Sequence, residues 1–139
     1  MIQEDYVSFE TAELLKEKGF AQTTDYFYSK QSEKKCPEQL SLNELNYQRS
    51  SFIPAPTLQM ATKWLREVHG MYIETNVRMY TSPKTKVDGF LANVWYLPKN
   101  NKGMCCVYAY PPNHIAGECW DTYEQACEAA ITYCLTKLL

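Results

Sequence analysis

The sequence predicts an α+β protein, a two-layer domain in which an antiparallel sheet of three or four strands carries helices on one face. Three segments place apolar residues at helical spacing, and residues 71–110 contain three strand-like runs separated by turn residues. Connections of hairpin length join antiparallel strands, and helices outside such a meander pack on one face of it. The expected element order is α-β-α-β-β-β-α.

The first two helices are predicted by their ends as well as by their apolar spacing. Residues 9–18 follow Ser8, whose hydroxyl suits an N-cap, and precede Gly19, which suits the left-handed position after a helix. Residues 58–69 follow Thr57, another hydroxyl residue. Their apolar stripe is expected to comprise Leu58, Ala61, Leu65 and Val68.

The third helix is expected to have Asp121 as its N-cap, because Asp121 and Glu124 have the spacing of a capping box. One face of this helix collects small and apolar side chains at helical spacing. These are Tyr123, Cys127, Ala130, Ile131, Cys134 and Leu138.

Four strands are expected. Residues 25–28 form a short one, and the meander comprises residues 71–80, 90–97 and 104–110. Residues 29–55 are mostly polar and give no clear pattern. At 139 residues the chain has the length of one domain, so we expect residues 1–139 to form a single domain.

Alternation along the strands sorts the side chains of the meander onto two faces. The face expected to meet the helices carries Ile73, Val77, Met79, Phe90, Ala92, Val94, Cys105, Val107 and Ala109. The other face, which we call the open face, carries Tyr72, Glu74, Asn76, Arg78, Tyr80, Asn93, Trp95, Tyr108 and Tyr110.

The open face is the candidate binding surface, because aromatic rings and an arginine suit contacts with a partner. Three interpretations remain open: strand propensity alone places the rings there, two copies pack through them, or a ligand or different partner binds them. The residues predicted to form the surface are Tyr72, Arg78, Tyr80, Asn93, Trp95, Tyr108 and Tyr110.

Catalytic and metal-binding patterns are weak. The sequence lacks a glycine-rich phosphate loop, a His-Glu-x-x-His motif and a Cys-x-x-Cys pair. The nearest approach to a zinc site is His114 and Cys119 with Cys105 or Cys106, at a spacing that matches no standard pattern. We therefore expect no catalytic residues, no metal and no cofactor, and a non-catalytic binding protein.

Composition bears on location. The longest apolar run, residues 104–110, is far shorter than the roughly 20 residues that a membrane span needs. The first five residues include two acidic ones, Glu4 and Asp5, and lack the apolar core of a secretory signal. We therefore expect a cytoplasmic protein that does not act at a membrane, with its six cysteines reduced and mostly buried.

Charge suggests two classes of partner. The net charge is −2, but residues 26–117 carry eleven basic and six acidic residues. The first hypothesis is a protein partner, with self-association expected. The alternative is nucleic acid, bound by the open face and by the basic loop residues Lys84, Lys86, Lys99 and Lys102.

The order helix, three strands, helix over residues 57–139 resembles the double-stranded-RNA-binding domain and its relatives, which include small toxins of toxin–antitoxin pairs. The resemblance implies the fold. The RNA-binding family has lysines where this chain has Asp121-Thr122-Tyr123-Glu124, and no histidine here matches the one that the toxins use. The resemblance therefore does not imply their activity.

A second resemblance rests on three blocks of sequence, Val7 to Phe20, Ala55 to Glu67 and Tyr123 to Leu139. These blocks look like small uncharacterised proteins encoded by phages and mobile elements of gut bacteria. The resemblance implies an origin and no activity, so it assigns no functional residue.

Overall fold

The α+β class is confirmed by the structure, a computed structural model. It contains α-helices and two antiparallel three-stranded sheets. These elements fall into two compact units, Met1–Ala61 and Thr62–Leu139. Whether the two units form the single domain expected over residues 1–139 stays a prediction. The structure describes residues 1–32, 36–40, 51–79, 87–100, 102–111 and 119–139.

The first unit contains one helix and one of the sheets. Its elements are α1 (Phe9–Glu17), β1 (Tyr26–Ser29), β2 (Glu38–Gln39) and β3 (Phe52–Pro54). The strand order is β2-β1-β3, with both pairings antiparallel. The short strand expected at residues 25–28 is therefore the centre of a separate sheet rather than a fourth strand of the meander.

Local chemistry explains where α1 begins and ends. The Ser8 hydroxyl accepts a hydrogen bond from the backbone N–H of Thr11 at 3.3 Å, as an N-cap does. Gly19 has a φ of +93°, a conformation that disfavours residues with a side chain, so the helix ends there. The following Phe20 and the helical Leu15 are both buried.

Helix α2 (Leu58–His69) has the predicted bounds and crosses the boundary between the units. Its first turn is capped by the Thr57 hydroxyl, which accepts a hydrogen bond from the Met60 N–H at 3.1 Å. The prediction that Val68 is buried is wrong, because this side chain is 58% exposed. Burial of the stripe ends at Leu65, and Val68 in the last turn faces solvent.

The second unit contains the predicted meander, with strands β4 (Tyr72–Arg78), β5 (Gly89–Tyr96) and β6 (Cys105–Ala109) in the order β4-β5-β6. Helix α3 (Tyr123–Tyr133) contacts all three strands and continues into a π-helical turn, Cys134–Leu138. Every pairing in the sheet is antiparallel.

The layer between the sheet and α3 is made mostly of small and aliphatic side chains. Its buried residues include Ala92, Val94, Ala109, Ala126, Ala130, Ile131 and Leu135. Of the nine residues expected to meet the helices, three are buried (Ala92, Val94 and Ala109), four are half-buried (Ile73, Met79, Phe90 and Val107) and two are exposed. Val77 is 58% exposed and Cys105 is also exposed, since each lies near a strand end.

The N-cap of α3 is Thr122 rather than the expected Asp121. The Thr122 hydroxyl accepts a hydrogen bond from the Gln125 N–H at 3.1 Å, and the Gln125 side chain accepts one from the Thr122 N–H at 3.3 Å. Asp121 with Glu124 and Thr122 with Gln125 both have the three-residue spacing of a capping box, so spacing alone does not distinguish them. The helix begins one residue later than expected, at Tyr123.

We expect Thr122→Ala to lower the free energy of unfolding by about 1 kcal/mol, because it leaves the N–H groups of the first turn without their side-chain acceptor. Asp121→Ala is the matched control and should change stability by less than about 0.5 kcal/mol. Urea unfolding followed by circular dichroism measures both. A larger loss for Asp121→Ala than for Thr122→Ala would contradict the assigned cap.

All six cysteines are free, so no disulfide joins them. The expectation that most are buried is wrong, because only Cys127 and Cys134 are buried. Burial raises the pKa of the Cys127 thiol to about 11 and that of the Cys134 thiol to about 12. Cys127 lies on α3, which covers the sheet, and Cys134 lies in the π-helical turn that follows it.

Candidate functional site: the open face of the second sheet

The strand register places the aromatic residues of the meander on the predicted side of the sheet. Tyr72 of β4 lies opposite Trp95 of β5, and Trp95 lies opposite Cys106 of β6. In the next row on the same face, Asn93 lies between Glu74 and Tyr108. The register also adds Cys106 to the open face.

The opposite side of the sheet is the one that meets α3. Thr75 of β4 forms a side-chain hydrogen bond with the Cys127 thiol of α3. Since neighbouring residues of a strand point to opposite faces, Glu74 and Asn76 point away from that helix. The helix side and the open face are therefore assigned by a contact as well as by register.

A polar network occupies the middle of the open face. The Glu74 carboxylate accepts hydrogen bonds from the Trp95 indole N–H at 3.1 Å and from the Asn93 amide at 3.0 Å. The Asn93 carbonyl accepts a bond from the Asn76 amide at 3.1 Å. The Asn93 amide also lies 3.4 Å from the Cys106 sulfur. One acidic side chain and one amide thus tie all three strands together.

Asn93 has a different place from the one predicted for it. It was expected to contact a partner, but only 5% of the residue is exposed. Its side-chain amide is hydrogen-bonded to Glu74 and Asn76 within the face. Asn93 therefore supports the surface as a buried residue and does not contact a partner. Glu74, which was not among the predicted site residues, accepts the hydrogen bond of the Trp95 ring.

Four rings form the accessible part of the open face. Tyr72 and Tyr108 are each about half exposed, at 47% and 51%, and Tyr110 and Trp95 at 44% and 39%. The rings of Tyr108 and Tyr110 are neighbours, with centroids 5.9 Å apart. The Trp95 indole is hydrogen-bonded to Glu74, which orients this ring. A partner would meet it already oriented, which lowers the entropic cost of binding.

The open face carries charges of both signs. Glu74 is exposed, whereas Arg78, at the far end of the same strand, is half-buried. Lys99 and Lys102 are exposed in the connection between β5 and β6. Tyr80 and the other two basic residues expected near this face, Lys84 and Lys86, lie outside the described residues.

The described residues hold no group of three or more His, Cys, Asp or Glu side chains that could bind a metal ion. His114, a member of the weak zinc pattern, lies outside the described ranges. His69 packs edge-on against Trp64, with ring centroids 4.6 Å apart. Within the same ranges, no helix has the length and apolar character that a membrane span requires.

The first unit has an open groove of about 670 Å³. Charged side chains of both signs dominate its lining, which comprises Glu10, Glu13, Leu14, Lys16, Glu17, Lys30 and Ile53. None of the residues predicted to form the binding surface lines it. The rings and their hydrogen-bonded support all belong to the second unit.

Fold and site together define a small α+β protein with an aromatic open sheet face. Comparison of the chain with family models, with curated proteins and with solved structures finds no match. The chemistry of the open face therefore carries the functional argument.

Proposed function

We propose that this chain is a non-catalytic binding protein that associates with a second copy of itself through the sheet of the second unit. The observation that carries the proposal is the set of four accessible rings on one face, supported by the Glu74–Asn93 network. Tyrosine and tryptophan are enriched among the residues that dominate binding energy at protein interfaces.

Charge favours a copy of the same chain as the partner. Among the described residues, the open face carries one acidic residue, Glu74, and one basic residue, Arg78, so this part of the face has no excess charge that would repel its own copy. Symmetric dimers use the same patch on both subunits, and a patch with charges of both signs can complement itself. Both properties support self-association.

Nucleic acid is the second candidate, and the exposed Lys99 and Lys102 are what favour it. The Glu74 carboxylate argues against it, because this negative charge is bonded to the Trp95 indole and to the Asn93 amide, on the same face as the rings. A phosphate backbone approaching the rings would meet that charge. We therefore place nucleic acid second.

We propose further that the protein acts in the cytoplasm and comes from a phage or mobile element. Six cysteines without a disulfide support a reducing compartment. The origin is supported by the three sequence blocks that resemble proteins of such elements, the longest of which, Tyr123 to Leu139, contains α3.

The combined variant Trp95→Ala and Tyr108→Ala tests the proposed function. We expect its dimer dissociation constant to rise at least about tenfold, since truncating residues of this kind at an interface costs more than 1 kcal/mol each. Sedimentation velocity over a concentration series measures this constant. Tyr123→Ala, which removes an equally exposed ring on α3, is the matched control and should leave the constant within about twofold.

Two outcomes would overturn the proposal. One is a wild-type chain that sediments as a monomer at every concentration. The other is binding to single-stranded RNA or DNA that weakens steeply with added salt and is lost in the same double variant, because that result assigns the rings to nucleic acid.

A further inference from the structure

The outer edge of β6 is a second feature of the sheet with the chemistry of an interface. Strand β6 pairs with β5 on one side, and the described residues place no strand on its other side. An unpaired edge exposes backbone N–H and C=O groups that can pair with another strand. Which of these groups point outward follows from the hydrogen bonds of β5.

Phe90 at the start of β5 fixes the alternation of those bonds. Its N–H and C=O each bond to Trp120 at 2.8 Å, while Val77 lies opposite it on the β4 side. In an antiparallel ladder, alternate residues of a strand bond to the same side. Since Val77 occupies the β4 side, Phe90 bonds Trp120 on the β6 side of β5. Ala92 and Val94, two and four residues further on, therefore also direct their backbone groups toward β6.

The residues of β6 opposite these two are Ala109 and Val107. Their backbone groups are consequently used inside the sheet. The intervening residues, Cys106 and Tyr108, direct their N–H and C=O groups to the outer edge. Strand β6 thus presents two donors and two acceptors, with Val107 between them.

The two edge strands of the sheet, β4 and β6, differ in whether they carry residues that disfavour pairing with a further strand. The edge strand β4 carries Glu74 and Arg78, and charged side chains are a common protection of sheet edges. Residues 105–109 of β6 contain neither a charged residue nor a proline. The β6 edge is therefore the one that a second strand can approach without burying a charge.

We infer that two copies of the chain pair antiparallel along β6, which joins their two sheets into one of six strands. This inference rests on the proposed self-association and specifies its geometry. With Val107 opposite Val107 of the second copy, each Cys106 lies opposite Tyr108 of the other copy. This register uses all the outward groups of Cys106 and Tyr108, in four hydrogen bonds.

A copy of β6 is the occupant that fits best because its outward groups are complementary to themselves under a two-fold rotation. The pairing also brings no like charges together. The two open faces then lie side by side on one surface rather than stacking against each other. Tyr108 of each copy continues the cross-strand row that holds Cys106 and Trp95 of the other copy, so Tyr108 and Trp95 are the rings nearest the contact. Tyr108 lies next to the seam, whereas Tyr72 lies two strands away, about 10 Å across the sheet.

Two lysine variants of equally exposed tyrosines separate this geometry from face-to-face stacking. Tyr108→Lys places two positive charges near the seam and should raise the dimer dissociation constant at least about tenfold. Tyr72→Lys should leave it within about twofold. Sedimentation velocity of the full chain measures both, with circular dichroism to confirm folding.

The possible outcomes distinguish the inference from the proposed function. Equal weakening by both lysine variants indicates stacked faces, which overturns the edge pairing and keeps the self-association. A wild-type chain that remains monomeric overturns both. Selective weakening by Tyr108→Lys supports the edge pairing.

A cross-linking experiment tests the register directly. In a chain whose accessible cysteines (Cys36, Cys105, Cys106 and Cys119) are replaced by serine, Val107→Cys should form a covalent dimer on mild oxidation. Residues in a non-hydrogen-bonded antiparallel pair have Cα atoms about 4.5 Å apart, within the range that a disulfide spans. Val77→Cys, on the opposite edge strand, is the matched control and should not cross-link. A dimer that persists while Val107→Cys fails to cross-link would exclude this register.

Discussion

Asn93→Ala is expected to lower the free energy of unfolding by about 2 kcal/mol. The substitution removes a hydrogen bond to the Glu74 carboxylate and another from Asn76, and hydrogen bonds to charged groups contribute about 1.5–3 kcal/mol. It also leaves a small cavity at a site where only 5% of the residue is exposed. Urea unfolding measures the stability, and the indole N–H resonance of Trp95 should shift because Glu74 loses its second partner.

Asn76→Ala is the control for this effect. Asn76 is exposed and gives the network one bond, to the Asn93 carbonyl at 3.1 Å, so its loss should cost no more than about 1 kcal/mol. A change of less than about 0.5 kcal/mol in Asn93→Ala, with an unmoved Trp95 resonance, would show that the network does not hold the face together.

The elements of the fold that sequence predicts well are those whose signals are local. The Ser8 cap, the hydroxyl of Thr57 and the alternation along β4 each act within a few residues, and each is found where the pattern places it. The separate first sheet has no local signal, because its pairing depends on β3, which is brought to β1 from about 25 residues away. Periodicity carries no information about such a partner.

The composition of the open face could be predicted from alternation, but the roles of its residues could not. Alternation assigns Asn93 and Trp95 to one face, and the structure agrees. Whether an amide on that face contacts a partner or a neighbour depends on cross-strand distances, which only the register provides. The sequence indicates the polar network of Glu74 and Asn93 only by polar residues in the middle of two adjacent strands. The same pattern is also typical of an ordinary solvated face.

We expect stability to fall steeply above about pH 9 because of the buried thiols of Cys127 and Cys134. Burial raises the pKa of Cys127 to about 11, with the nearby Glu124 and Glu128 adding to the rise and a bond to Thr75 opposing it. Burial likewise raises the pKa of Cys134 to about 12. In the unfolded chain both thiols should ionise near their ordinary value of 9.0.

The direction of the effect follows from proton binding. Above pH 9 the unfolded chain has released protons that the folded chain still holds, so raising the pH favours unfolding. Below pH 9 both states hold these protons, and the thiols contribute no pH dependence. Each thiol can lower stability by up to about 1.4 kcal/mol per pH unit until its folded pKa is reached. Urea unfolding in the presence of a reductant, at several pH values between about 8 and 10.5, measures this slope.

Two alanine variants distinguish buried thiols from other alkaline titrations. Cys134→Ala removes one of the two buried groups and should flatten the fall in stability with pH, even though it lowers stability at pH 8 by opening a cavity. Cys105→Ala removes an exposed thiol and should leave the slope unchanged. Equal slopes in wild type and Cys134→Ala would mean that tyrosine or lysine ionisation drives the alkaline loss. The packing of the π-helical turn after α3 would then not depend on keeping the Cys134 thiol protonated.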